Sequence, residues 1–197
     1  MYSTFELKSV RLFLCAILLL ITNLSEAQKG LWKPVAVDQH VTVSFPSKPD
    51  EMDVPATMAA QGAASAKSPR THASRAFRHE DACGVYALVC VPLFEEPQLP
   101  PTQPARENYY KSHTIPLFIS HARGQLLDQK ISTIAGVDVI TLRYRALGPT
   151  GSPTVKFFRQ IVVGRMIYQF YFAPTDKTGN RCEAQRLRFF DSIQIKK

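Results

Sequence analysis

The sequence predicts an α+β fold in which a mostly antiparallel sheet lies inside a layered sandwich. Two observations predict it. The first is the stretch from Val155 to Phe172, VKFFRQIVVGRMIYQFYF, which reads as a β-hairpin. Two runs rich in β-branched and aromatic residues flank Gly164-Arg165, and a two-residue loop with glycine first suits a type II′ turn. Such a turn sets Val163 opposite Met166, Ile161 opposite Tyr168 and Phe157 opposite Phe172. That face is apolar except for Arg159. The other face carries Phe158, Val162, Ile167 and Tyr171, diluted by Gln160 and Gln169. A strand pair apolar front and back must be covered front and back. The second observation is that further strand-like runs are interrupted by two stretches with helical period, Gln103 to Arg123 and the segment after Asn180.

The first part of the 197-residue chain reads as an export leader rather than as structure. Lys8 and Arg11 precede an unbroken apolar run from Leu12 to Ile21, and Ser25-Glu26-Ala27 ends in small residues where a signal peptidase reads. Cleavage after Ala27 makes Gln28 the first residue of the mature chain. An apolar core of this length falls well short of the roughly 20 residues that span a bilayer. Cys15 sits too early, and in too poor a context, for a lipid-attachment box. The roughly 170 residues left are ordinary for one domain with a real core. No later segment approaches bilayer length. The expectation is therefore an exported protein, periplasmic or extracellular, with no transmembrane segment in its mature chain.

In the mature chain Val35-Ala36-Val37 and Val41 to Phe45 read as short strands, the second stopped by Pro46 and Pro49. Val54 to Met58 and Arg70 to Phe77 read as strands on either side of a small-residue loop near 59–69, which has too little apolar content to order itself. Gly84 to Leu93 is a strand apolar on both sides and so central. Five prolines from Pro92 to Pro104 then form a crossover connector. Gln103 to Arg123 reads as a helix, with Pro104 in its first turn and its stripe on Ala105, Tyr109, Tyr110, Leu117, Phe118 and Ala122. Pro116 predicts a kink or a break near Thr114-Ile115, and Gly124 ends the element. Leu126 to Ile134 and Val137 to Leu147 read as antiparallel strands around Ala135-Gly136. In the second of these, Ile140, Leu142 and Tyr144 point one way, and Thr141, Arg143 and Arg145 the other. After Pro174 comes the second helix. Asn180 and Glu183 stand in a capping-box arrangement, with Ala184, Leu187 and Phe190 as the stripe. Ser192 to Ile195 closes the chain as a short strand.

This order of elements resembles the PsbP-like superfamily. The likeness rests on Val43-Ser44-Phe45-Pro46-Ser47-Lys48-Pro49 at the end of a strand, on Gly164-Arg165-Met166-Ile167-Tyr168-Gln169-Phe170, and on a C-terminal helix closing on Phe189-Phe190-Asp191-Ser192-Ile193. Members of that superfamily include the extrinsic photosystem II subunit, a Ran-binding nuclear-import factor and many bacterial exported proteins. The resemblance covers most of the mature chain. It implies an α/β/α sandwich, with a central sheet covered by helices on both faces, and binding or assembly rather than catalysis. The small-residue segment and the proline-rich connector depart from the pattern, which leaves the strand pairing around Glu51 to Phe77 open. No functional residue carries over.

The net charge of +8 is uneven. From Thr141 onward there are eleven Lys and Arg against three acids, whereas the first 140 residues carry thirteen of each sign. The candidate partner-binding residues are therefore Arg143, Arg145, Arg159, Arg186 and Arg188, of which Arg143 and Arg145 share a strand face. They suit an anionic polysaccharide, lipid head groups or an acidic protein. Nucleic acid does not fit an exported chain with no recognition module, and a merely solubilising face is the competing account. No nucleophile elbow, phosphate loop or His-Glu-x-x-His motif occurs. His72, His79, Glu80, Asp81 and Cys83 match no zinc spacing, and His113 and His121 lie too far apart to share an ion. No catalytic residue, metal ligand or cofactor is expected. Cys83, Cys90 and Cys182 are candidates for thiol or disulfide chemistry. Cys83 and Cys90 would lie about 23 Å apart along one strand, so any intrachain bridge uses Cys182. At the start of a helix Cys182 could alternatively be a reactive thiolate. The function expected is non-enzymatic binding or assembly at the cell envelope. The alternative is an envelope enzyme, hydrolytic or thiol-dependent, built on Cys182 or the histidines.

Overall fold

A computed structural model describes residues 32–60, 67–95, 98–148 and 151–196. The leader, with Cys15 and the cleavage site at Ala27 and Gln28, lies outside the described residues, as does the centre of the small-residue segment, 61–66. Among the described residues ten strands run in chain order: β1 (Lys33–Ala36), β2 (Val41–Phe45), β3 (Asp50–Met52), β4 (Arg75–Glu80), β5 (Gly84–Pro92), β6 (Gln125–Ile134), β7 (Val137–Leu147), β8 (Pro153–Val163), β9 (Met166–Pro174) and β10 (Gln194–Ile195). Seven of them form one antiparallel sheet in the order β3-β4-β5-β9-β8-β7-β6, and β1, β2 and β10 form a second, small sheet.

The hairpin of the sequence reading is β8–β9, and its register is the one the turn chemistry demands: Val163 faces Met166, Ile161 faces Tyr168, and Phe157 faces Phe172. Gly164 has φ +55° while Arg165 stays at negative φ, as a type II′ turn requires. β9 is the fourth of the seven strands, so the two-faced ribbon lies mid-sheet. Gln160 and Gln169, the polar interruptions of its second face, hydrogen-bond each other across the pair at 3.1 Å, and the Tyr171 hydroxyl donates to Gln169 at 3.0 Å. A polar pair inside an apolar layer is tolerated when its members satisfy one another.

Each face of the large sheet has its own core. On the first, Tyr86, Leu88, Ile161, Tyr168, Phe170 and Phe172 pack against Val41, Val43 and Phe45 of the small sheet and against Phe189 and Phe190. The last two belong to α5 (Glu183–Asp191). On the second, Ile140, Leu142, Tyr144 and Phe158 pack against Tyr110, Ile115 and Phe118. These come from a π-helical turn (Tyr110–Thr114) and from α4 (Ile115–His121), which continue α3 (Gln103–Tyr109). The α+β class holds. The cover of the first face is a three-stranded sheet plus one helix, so helices alone do not form both outer layers. The predicted break falls where Pro116 puts it: a π-turn ends just before Ile115-Pro116, and the proline occupies the first turn of α4. The wider turn also rotates the stripe, leaving Tyr109 and Leu117 exposed while Ile115 is buried.

Three expectations are corrected. Val54 to Met58 is not a strand but the start of α1 (Val54–Ala60). The Asp53 carboxylate accepts from Ala56 N–H at 2.9 Å, and Pro55 fits a first helical turn. The start of the expected strand Arg70 to Phe77 is likewise helical, as α2 (Pro69–Ala73), with Ser68 accepting from Thr71 N–H at 3.1 Å. Only from Arg75 does the chain extend, as β4. Asn180 does not cap α5: Cys182 holds the N-cap position, with no side-chain hydrogen bond. The buried stripe of that helix is Phe189 and Phe190, while Leu187 is exposed.

The β6–β7 turn places both Ala135 (φ +50°) and Gly136 (φ +75°) in the left-handed region, a type I′ geometry that suits Asn-Gly. A Cβ there costs alanine about 1 kcal/mol. Ala135→Asn should therefore raise the thermal midpoint by roughly 2–4 °C, read by a melting scan. A lower midpoint would contradict this turn.

Candidate anion-binding cleft

α5 and the small sheet cover the middle of the first face but leave its β6–β7 margin bare. On that margin Asp128 of β6 stands opposite Arg143 of β7, and Lys130 opposite Thr141. Arg143 in turn faces Phe157 of β8. The start of α5 and the loop before it form the facing wall. Between them lies a cleft of about 290 Å³ lined by Asp128, Lys130, Thr141, Arg143, Asn180, Glu183 and Arg186 over Phe157. The loop reaches this position because the Asp176 carboxylate accepts from the Thr178 hydroxyl and from the backbone N–H groups of Gly179 and Asn180. Gly179 (φ +77°) has no room for a side chain, since a Cβ would stand 2.8 Å from the Phe157 ring.

The five predicted arginines are not one patch. Arg186 lies flat over Phe157, 4.0 Å from the ring centroid, and donates to Glu183 at 2.7 Å. Its Nε is buried without a hydrogen-bond partner. Burial lowers its pKa first; Glu183 opposes this, and the charge of Arg143 adds to it. Arg143 is exposed at the cleft, and Arg145 lies one pleat further along the same face of β7, also exposed. Arg159 belongs to the core. It donates to the Phe190 carbonyl at 2.7 Å, lies 5.0 Å over the Phe190 ring and approaches Asp191 at 3.8 Å. A cation at the C-terminal carbonyls of α5 is a structural use of charge. Burial lowers its pKa, with Asp191 opposing. Arg188 stacks over Trp32 at 4.9 Å. Sequence reasoning missed Asp128, Lys130 and Asn180. The first two lie in the charge-balanced part of the chain, and only the β6–β7 register brings them beside Arg143.

Two other hollows offer less chemistry. One of about 560 Å³, beside the β8–β9 turn, includes Asp38, His40 and Arg165. Asp38 is already committed, accepting from His40 N–H, Val41 N–H and the buried Tyr168 hydroxyl. Another, of about 470 Å³ between α1, α2 and β5, is largely apolar and is lined by Val54, Pro69, Val89, Val91 and Phe94 among others. Among the described residues no three His, Cys, Asp or Glu side chains come together as a metal site. His79 pairs with Ser47 at 3.2 Å, and His113 stacks on Tyr109.

Compared with known proteins, the chain matches no family model and no curated protein. Among solved structures it is similar to the solution structure of cyanobacterial PsbP (CyanoP) from Synechocystis sp. PCC 6803, with a TM-score of 0.53 and 12% identity over 84% of this chain and 92% of that one. A crystal structure from Bacteroides thetaiotaomicron VPI-5482 aligns at a TM-score of 0.42 and 9% identity, over 80% of this chain and 45% of that one. The chain has a PsbP-like fold, and at 12% identity the likeness concerns fold alone. No helix of the described residues is long and apolar enough to cross a membrane.

The three cysteines among the described residues divide two and one. Cys83, just before β5, is bonded to Cys182 at the start of α5, 99 residues away. Cys90 is a buried free thiol on β5. Its pKa is pushed up to about 12 by burial, with the Asp38 carboxylate adding and Arg75 opposing. Neither Cys182 nor Cys90 is a thiolate at neutral pH. A small alkylating reagent should leave Cys83, Cys90 and Cys182 of the native, unreduced protein unmodified, as read by mass spectrometry, and should reach Cys90 only after unfolding. Rapid modification of Cys182 would rule out the bridge. Reduction should destabilise the fold by about 4 kcal/mol, since the bridge closes a long loop.

Proposed function

We propose that the protein is an exported, non-enzymatic binding or assembly protein of the cell envelope that engages an anionic partner through Lys130, Arg143, Arg145 and Arg186. The observation that carries this reading is the convergence of three of these cations on one cleft beside the start of α5. Arg145 extends the row along β7. Arginine's planar fork suits carboxylate and phosphate oxygens, and an exposed row of such forks on a rigid strand is a preorganised surface. The Cys83–Cys182 bridge supports an oxidising compartment, as the leader does. The alternative of an envelope enzyme built on Cys182 loses its nucleophile to that bridge, and the five histidines lie apart, in the β1–β2 loop and on α2, β4, the π-turn and α4.

Retention of the purified protein on heparin and on a neutral matrix tests the proposal. The expected result is retention on heparin at low salt, release by added salt, and no retention on the neutral matrix. The double change Arg143→Glu with Arg145→Glu should weaken binding on the order of tenfold or more. No retention at low salt would remove the basic row as a functional surface.

A further inference from the structure

The cleft is positive, but it is not simply positive. Two carboxylates, Asp128 and Glu183, stand among its three cations, with the Thr141 hydroxyl and the Asn180 amide beside them. That composition discriminates between anionic partners. A polyphosphate or a phosphate-headed surface offers almost nothing but acceptors. Against Asp128 it meets like charge, and repulsion of that kind is a standard device for excluding wrong partners. A flat surface also does not enter a concave cleft of about 290 Å³. The ligand that satisfies every group must present an anionic group and several hydroxyl donors within one small ring-sized volume.

We infer that the cleft takes an acidic sugar unit, a uronate-type ring of a carboxylated glycan. The inference rests on the anion-binding reading above and narrows it. The sugar carboxylate lies on Arg143, whose guanidinium is exposed at the cleft mouth. The ring hydroxyls donate to Asp128 and Glu183 and exchange hydrogen bonds with Thr141 and Asn180. Arg186, lying over Phe157 and paired with Glu183, adds positive charge from the facing wall. Arg145 lies two residues from Arg143 on the same strand face, about 7 Å along. It is placed to meet the next charged unit of a polymer.

The sign of one substitution separates an acidic sugar from a generic anion. Removing the Asp128 charge leaves unchanged or strengthens the binding of an anion held by electrostatics alone. It must weaken a ligand whose hydroxyls donate to that carboxylate. Asp128→Asn is the cleaner probe and Glu183→Gln the second, because Glu183 also holds Arg186. Titration calorimetry of the protein and both variants, each checked for its fold by circular dichroism, would use oligogalacturonate, a neutral dextrin of equal length, and polyphosphate. The expected result is binding of oligogalacturonate and not of dextrin, with Asp128→Asn about tenfold weaker for oligogalacturonate and unchanged or tighter for polyphosphate. If Asp128→Asn tightens both polyanions alike, the sugar assignment is overturned while the general anion surface stands. If the protein binds neither polyanion at low salt, both readings fall.

Discussion

The structure depends on one constraint: its central strand pair is apolar on both broad faces. Tyr168, Phe170 and Phe172 of β9 project to one side and Tyr171 to the other, and Phe157 and Phe158 of β8 divide the same way. Side chains of this size each represent several kcal/mol of favourable burial, so neither face can be left in water. The second face is covered locally, by the helices that precede β6. The first face has no neighbouring segment to cover it, and the chain supplies one from its two ends. β1 and β2 come from the N-terminal side, α5 and β10 from the C-terminal side, and they meet as one layer. The hydrogen bonds that fix this layer are few and specific. Ser44 N–H donates to the Ser192 hydroxyl at 2.9 Å, the Ser192 hydroxyl donates to the Phe189 carbonyl at 2.7 Å, and the buried Tyr168 hydroxyl donates to Asp38. The Cys83–Cys182 bond ties the start of α5 to the edge of β5. A cover assembled from distant segments carries a large loop-closure cost, and a covalent tie across 99 residues offsets part of it.

The candidate cleft is a by-product of that cover. α5 is nine residues long, about 13 Å at 1.5 Å per residue, and cannot roof all seven strands. Where the roof stops, the residues of β6 and β7 on this face turn from apolar to polar. Val137 and Val139 pack against the first core, whereas Arg143 and Arg145, further along the same strand, are exposed. A rigid strand then presents charged side chains at fixed spacing beside a helix end whose loop is held by Asp176. The strand fixes the spacing of these groups, so the backbone need not be ordered on binding, while the exposed arginine and lysine side chains still are.

The parts of the fold set by local chemistry were legible in the sequence. Gly164-Arg165 fixed the hairpin register to the residue, Pro116 fixed the place of the helix break, and the Ala135-Gly136 turn with the alternation that follows it fixed β6 and β7. Asp53-Val54-Pro55 and Ser68-Pro69 are each a capping residue followed by a proline suited to a first turn. That signal is more local and more physical than the weak strand propensity of the residues after it, and the helix wins at both places. The Asn180 cap failed for the opposite reason. The capping pattern was present, but the disulfide fixes Cys182 at the N-cap and Asp176 takes the loop N–H groups, so a non-local bond overrode a local preference. The strands of the small sheet are each legible in the sequence, but their pairing into a separate sheet is not, because β10 has only two residues and its pairing with β2 is non-local.

The charge of the C-terminal third shows why composition identifies a site only in outline. Each arginine there counts equally in a sum, yet the fold uses them for different purposes. Arg159 is half-buried against the Phe190 carbonyl near the end of α5, where a cation stabilises the helix. Arg188 stacks on Trp32, and Arg186 spends its plane on Phe157 and one fork on Glu183. What stands exposed for recognition is Arg143 and Arg145, joined by Lys130 from the charge-balanced part of the chain, while Arg186 lends its charge from the cleft wall. Asp128 and Glu183 then cancel part of their field. Long-range steering grows with uncancelled charge and is screened beyond about 8 Å at physiological salt. A cleft of such mixed sign therefore draws its ligand weakly from a distance. Its selectivity has to come from contact, from which oxygens meet which nitrogens and hydroxyls once the ligand is seated.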